Sequence, residues 1–242
     1  IHEQHVGPRI TNKILSRFVD VGAVGYEEAI QQFPKAKQVG YTGNPVRPNV
    51  VAANREEARA YFGLQNDQTA ILVAGGSRGA RSINTAMQAV HEHYKGREDI
   101  KIIHATGTDE YSRVCESLGI QEGDVYSPTS HIVPYLDNMD MAMAASDMAI
   151  FRSGAIGLAE LAVRGIPSIL IPYPYAAADH QTFNAKAFVE AGASTMIVDK
   201  ELEGTRLLQA VDVMLEDRGC RERMAQATLQ LGKPQQAREI AK

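Results

Sequence analysis

From residue 54 onward, short and mostly apolar runs alternate with longer stretches in which apolar residues recur every three or four positions. The runs at 69–74, 100–105, 147–151, 168–171 and 194–198 predict buried parallel strands, because a strand covered on both faces has no polar side. The periodic stretches at 54–62, 79–95, 108–118, 137–145, 155–164 and 181–191 predict amphipathic helices between them. A further strand is expected at 124–127, and a helical tail near 202–216, 219–231 and 234–242. Such regular alternation predicts an α/β chain with a doubly wound parallel sheet. Ahead of it stand a loop (1–7), a helix (8–18), a strand (20–24), a short helix (26–32) and a strand (37–41), too little for a separate domain. Residues 42–48, rich in Gly and Pro, read as a linker, and Asn54 with Glu57 forms a capping box at the next helix.

At 242 residues and 44% hydrophobic, the chain is long enough to bury a substantial core in one or two domains. Its net charge of −4 gives no overall nucleic-acid footprint. Cys115 and Cys220 stand far apart without CxxC spacing, which fits a reducing compartment and no structural zinc site. No apolar run is long enough to span a bilayer. His2 and His5 resemble a fragment of HExxH, but the second His would have to fall at position 6, which is Val6.

The chemistry gathers where strands turn into helices. The run 147–151 leads through Arg152, Ser153 and Gly154 into a helix whose amino end, with unpaired N–H groups and a positive dipole, favours a diphosphate. Ser153, Gly154, Ala155 and Gly157 are small enough to admit phosphate. Glu160 lies one helical turn, about 4.5 Å, beyond Gly157 on the same face, where a carboxylate accepts hydrogen bonds from ribose hydroxyls. Read alone, Glu160 is better taken as a solvated helix position, with Leu158, Leu161 and Ala162 as the core face.

The following turn adds weight to the ligand reading. Gly165, Ile166 and Pro167 end that helix, and the strand after it exits toward Asp179, His180 and Gln181. An acid, an imidazole and an amide together suit a ligand bearing several hydroxyls, although Asp179 also suits a helix N-cap. A third small-residue loop, Gly75 to Arg81, follows the first long strand and matches neither GxGxxG nor the P-loop pattern. Ligands of open parallel sheets bind at the carboxyl ends of the strands, so the loops 75–81, 152–157 and 172–181 should face one crevice. Arg78 and Arg81 are either charges near a diphosphate or surface residues.

Taken in order, HEQ at 2–4, TNK at 11–13, TGNPVR at 42–47, GGSRGAR at 75–81, YLDNM at 135–139, RSGA at 152–155, the Glu160 segment and DHQTFNA at 179–185 resemble the MurG-type glycosyltransferases. The resemblance covers nearly the whole chain. It implies the GT-B fold, two Rossmann-like domains across a cleft, with residues 1–48 a remnant of the acceptor-binding domain and linker. Residues 49–228 would bind the donor and 229–242 form a carboxyl-terminal helix. It also implies a further amino-terminal segment of roughly a hundred residues, absent here.

The reaction implied is inverting transfer of N-acetylglucosamine from UDP-GlcNAc to undecaprenyl-pyrophosphoryl-MurNAc-pentapeptide, at the cytoplasmic face of the bacterial membrane. Membrane contact would run through the missing domain. By motif, Arg47 and Ser77 would approach UDP, Leu136 would offer backbone atoms to uracil, and Glu160 would hold the ribose. His180 and Gln181 would contact the diphosphate-sugar, and the backbone of Gly154, Ala155, Ile156 and Gly157 the diphosphate. Two positions depart from the family: His5 replaces the Asn of HEQN, leaving its sugar contact in question, and Gly157 replaces a Thr.

No cofactor or metal is expected, because helix amino ends and an Arg can stabilise departing UDP and the loops carry no DxD-type cluster. The catalytic base is expected in the missing segment, so these residues alone should turn over negligibly. Three other readings share some of these features: a different GT-B enzyme such as a glycolipid glycosyltransferase or UDP-GlcNAc 2-epimerase, a donor-binding subunit needing a partner chain, and an NAD oxidoreductase. The last is weakened by the absent GxGxxG.

Overall fold

The computed structural model describes residues 1–5, 10–33, 36–176 and 179–233, without the side chain of Glu28. Two parallel sheets carry the chain. The smaller joins β1 (His2–Glu3), β2 (Gly22–Val24) and β3 (Val39–Tyr41) in that order, with α1 (Ile10–Leu15) after β1 and a 3₁₀ turn (Glu27–Gln32) after β2. The expected loop 1–7 therefore contains a short strand, and the expected helix 8–18 is shorter. Residues 42–48 lead directly into α2 (Pro48–Ala52), where a linker alone was expected. Pro48 reads as punctuation, yet at the first helical position its fixed φ favours the helix and its missing N–H is not needed.

The larger sheet contains β4 (Thr69–Ala74), β5 (Ile100–Ala105), β6 (Ser130–Val133), β7 (Met148–Phe151), β8 (Ser168–Leu170) and β9 (Ser194–Met196). Its order, β6-β5-β4-β7-β8-β9, is that of the Rossmann sheet, with the direction of winding reversing between β4 and β7. Alternate residues of β4 feed opposite cores. Leu72 and Ala74 pack with Leu158, Leu161 and Phe188, whereas Ile71 and Val73 pack with Ile83, Met87 and Val211. The helices are α3 (Arg55–Tyr61), α4 (Arg81–Tyr94), α5 (Tyr111–Ser117), α6 (Met139–Ala145), α7 (Ala155–Arg164), α8 (His180–Glu190), α9 (Gly204–Glu216) and α10 (Arg218–Leu231). Asn54 caps α3 by accepting from the Glu57 backbone N–H at 3.0 Å, and Gly165 ends α7 in the left-handed region at φ 64°. The expected helix 234–242 lies outside the described residues.

The strand expected at 124–127 falls instead at Ser130–Val133. Its polar residues hide it. Ser130 Oγ–H donates to His91 Nδ1, His91 Nε2–H to His104 Nδ1 and His104 Nε2–H to Asn84 Oδ1, each at 3.0 Å. Asn84 Nδ2 donates to the Thr106 carbonyl at 2.8 Å, which fixes the amide orientation and hence both neutral tautomers. All of these side chains are buried, so the chain joins α4, β5 and β6 and ends beneath the loop that follows β5.

Burial pushes the His91 imidazole down to about 4, and burial with the adjacent His91 holds His104 well below its ordinary range. Unfolded histidine takes up a proton near pH 6.5, so the unfolded state binds more protons below that pH and stability falls as pH falls toward 4. His91 alone should cost about 2 kcal/mol between pH 6.5 and 5. Urea midpoints that stay level over that interval and decline only in the carboxylate range would contradict this.

Candidate functional site

Three strand exits meet over the point where the winding reverses. The first corner runs from β4 through Gly75, Gly76, Ser77, Arg78, Gly79 and Ala80 into α4. Gly79 sits at φ 90° against the β5 exit, where an added Cβ would lie 2.2 Å from the Thr106 carbonyl oxygen. The second corner passes from β7 through Arg152, Ser153 and Gly154 into α7. Gly154 occupies the N-cap position with no side-chain cap, and open space lies where its Cβ would stand. The amino end of α7 therefore opens on the crevice. The third corner leaves β8 through Tyr173, Pro174 and Tyr175 toward α8.

These corners are tied to one another. Arg152 Nη1 donates to the carbonyls of Ile171 (3.2 Å) and Pro172 (3.0 Å) and to Asp199, while Nη2 donates to Ser82 Oγ at 2.9 Å. Buried Ser153 donates to the Gln181 carbonyl at 2.8 Å and accepts Asn184 Nδ2 on its own carbonyl at 3.1 Å. Gln181 Oε1 accepts from the Tyr173 backbone N–H at 2.9 Å, leaving the side-chain NH₂ for other contacts. Together they wall a cavity of about 1040 Å³, which also meets Leu136, Met139, Arg47 and Glu160.

Glu160 is buried rather than solvated, with 4% of its surface exposed. Arg47, across from it, donates through Nε to Oε1 at 2.6 Å and through Nη2 to Oε2 at 3.1 Å. The hydrogen-bonded carboxylate raises the Arg47 pKa above its ordinary value.

Of the residues singled out in the sequence, Arg47, Ser77, Leu136, Gly154, Gly157, Glu160 and Gln181 line this cavity. Ser77 is exposed and Leu136 buried. Ala155 is buried and Ile156 half-buried, and neither side chain forms part of the wall. His5 and His180 meet each other, ring centroids 4.2 Å apart, and stand outside the lining. His5 Nδ1 lies 2.9 Å from the buried Glu3 carboxylate, which also accepts from Asn12 at 2.9 Å.

Asp179 does not cap α8 through its side chain, which accepts instead from Thr182 Oγ1 at 2.6 Å. Arg78 and Arg81 pair with Asp109 (3.0 Å) and Glu110 (3.5 Å) after β5. Sequence reasoning passed over the binding of Arg152 to Asp199, and the cavity walls formed by Tyr173 and Tyr175. The two tyrosines on either side of Pro174 were the available signal; Asp199 offered none.

Residues 70–242 match the family model described as the glycosyltransferase family 28 C-terminal domain. The chain is 43% identical over 244 residues to the UDP-N-acetylglucosamine–N-acetylmuramyl-(pentapeptide) pyrophosphoryl-undecaprenol N-acetylglucosamine transferase of Desulforamulus reducens, covering all of this chain and 65% of that relative. A protein of the same name from Halothermothrix orenii is 41% identical over 97% of this chain and 64% of its own length. The chain thus spans about two thirds of the length of these relatives, at 65% and 64%. In fold it is similar to Acinetobacter baumannii MurG, with a TM-score of 0.76 and 24% identity over 99% of this chain and 64% of that one. An S. aureus MnaA structure solved with UDP gives 0.70 at 15% identity, over 97% of this chain and 62% of that one. With the winding reversal, the open α7 amino end and the matched domain all in the same residues, the chain belongs to glycosyltransferase family 28.

Proposed function

We propose that the cavity binds UDP-N-acetylglucosamine, and that the protein transfers the sugar with inversion to the lipid-linked muramyl-pentapeptide of peptidoglycan synthesis. The carrying observation is the uncapped α7 amino end at Gly154, facing the same cavity as Glu160 one turn further on. The diphosphate lies at that end, with the backbone of residues 154–157 and the Ser77 loop around it. Glu160 takes the ribose, the residues about Leu136 the uracil, and Gln181 the sugar side. His180, next to Gln181 in the chain, and His5, packed on the His180 ring, do not line the cavity and approach the sugar only if the lobes shift on binding.

During transfer an acceptor hydroxyl loses its proton to a base, attacks the anomeric carbon, and UDP departs with the electron pair. The helix amino end stabilises the charge developing on the diphosphate. Residues 1–48 are assigned to the acceptor lobe and linker, 49–228 to the donor lobe and 229–242 to a carboxyl-terminal helix. In support, α1 buries no residue, and Ile10 and Phe18 are 77% and 80% exposed, as expected of a surface shared with further chain. Attachment is assigned to the cytoplasmic face of the membrane, where the lipid-linked acceptor is proposed to be used; among the described residues no helix is long and apolar enough to cross a membrane.

Transfer of radiolabelled N-acetylglucosamine to the lipid-linked acceptor tests this reading. Residues 1–242 alone should transfer negligibly, and the same residues joined to the amino-terminal third found in the relatives should transfer readily. A wild-type-like rate from residues 1–242 alone would contradict the division of labour, and no transfer by the joined protein would contradict the reaction.

A further inference from the structure

The geometry points to Arg47 as a positioning residue for the Glu160 carboxylate, and through it the determinant of ribose-diol recognition, rather than a ligand of the diphosphate. This inference rests on the nucleotide reading of the cavity. A carboxylate offers about four lone-pair sites, two on each oxygen. Arg47 takes one on each, through Nε and Nη2. One site per oxygen remains, which matches the two neighbouring hydroxyls of a ribose.

The two partners are unequal in a way that suits this role. The Glu160 side chain is 5% exposed and sits on the rigid α7, whereas that of Arg47 is 48% exposed at the start of α2. A side-on fork from a planar guanidinium fixes both the place and the rotation of the carboxylate. An ammonium cannot do so, since it is a point charge that contacts one oxygen or the other. The fork also commits two of the guanidinium nitrogens away from the diphosphate end.

A lysine at position 47 separates the two roles. Lysine serves phosphate well as a point charge but cannot reproduce the fork. Calorimetry would compare UDP, 2′,3′-dideoxy-UDP and pyrophosphate on the wild-type chain, Arg47→Lys and Arg47→Ala. Wild type should prefer UDP over the dideoxy compound by roughly 100-fold, the worth of two hydrogen bonds to a charged acceptor.

In Arg47→Lys that preference should drop below about tenfold while pyrophosphate binding stays within roughly threefold of wild type. Arg47→Ala should lose the preference as well. A full diol preference in Arg47→Lys, or an equal weakening of all three ligands in Arg47→Ala, would overturn the positioning role and make Arg47 a phosphate ligand. Wild type binding none of them would instead overturn the nucleotide reading, and this inference with it.

Discussion

Glu160→Ala should weaken UDP binding by about 2 kcal/mol, or roughly thirtyfold, while leaving the fold in place. The loss follows from removing the charged acceptor that we propose meets two ribose hydroxyls. The fold should survive because Arg47, the partner left behind, is half-exposed and takes water in place of the carboxylate. That asymmetry matters, since stripping the partner from a fully buried charge costs more than the pair itself is worth. Glu160→Gln, which keeps the shape and one acceptor oxygen, should fall between the two. Calorimetric titration with UDP checks both variants, and an unchanged affinity in Glu160→Ala removes Glu160 from the site.

Gly79→Ala should damage the protein far more than its single methyl suggests. The position lies at φ 90°, outside the range that side chains adopt, and the methyl would stand 2.2 Å from a backbone carbonyl oxygen. That oxygen belongs to Thr106, which Asn84 holds from within the buried histidine chain, so it cannot simply withdraw. Strain and displaced backbone together should cost about 3 kcal/mol or more of stability, with the first corner distorted. Gly154 supplies the contrast: its missing Cβ faces open space, so alanine there should leave urea stability within about 0.5 kcal/mol. Equal stability losses at the two glycines would contradict this account of the corners.

Much of the fold was legible because the central strands are buried on both faces. Thr69–Ala74 therefore appears as an apolar run with the bounds the structure gives it, and Ile100–Ala105 keeps its bounds although Lys101 and His104 interrupt its apolar residues. β6 was displaced in the reading because its burial is polar. Ser130 is buried to serve His91, while Val125, which looked like part of a strand, is 77% exposed. Within the site, the small residues of the corners and the one-turn spacing of Gly157 and Glu160 were readable, because helix geometry converts spacing directly into position.

Contacts between distant segments were not readable in that way. Arg47 reaches Glu160 across 113 residues, and Arg152 reaches Asp199 across 47. Each depends on which strand lies beside which, information that no local pattern carries. The meeting of His5 with His180 depends further on how the smaller sheet rests on α8. Local chemistry named those residues; only the assembled sheets and helices show what they touch.

The central claim is that the three corners form a nucleoside-diphosphate cradle. Parallel calorimetric titrations of the chain with UDP and with NAD test it most directly. One-to-one binding of UDP with no comparable heat from NAD is the predicted result. Absence of UDP binding, or binding of NAD as tight as that of UDP, would contradict it.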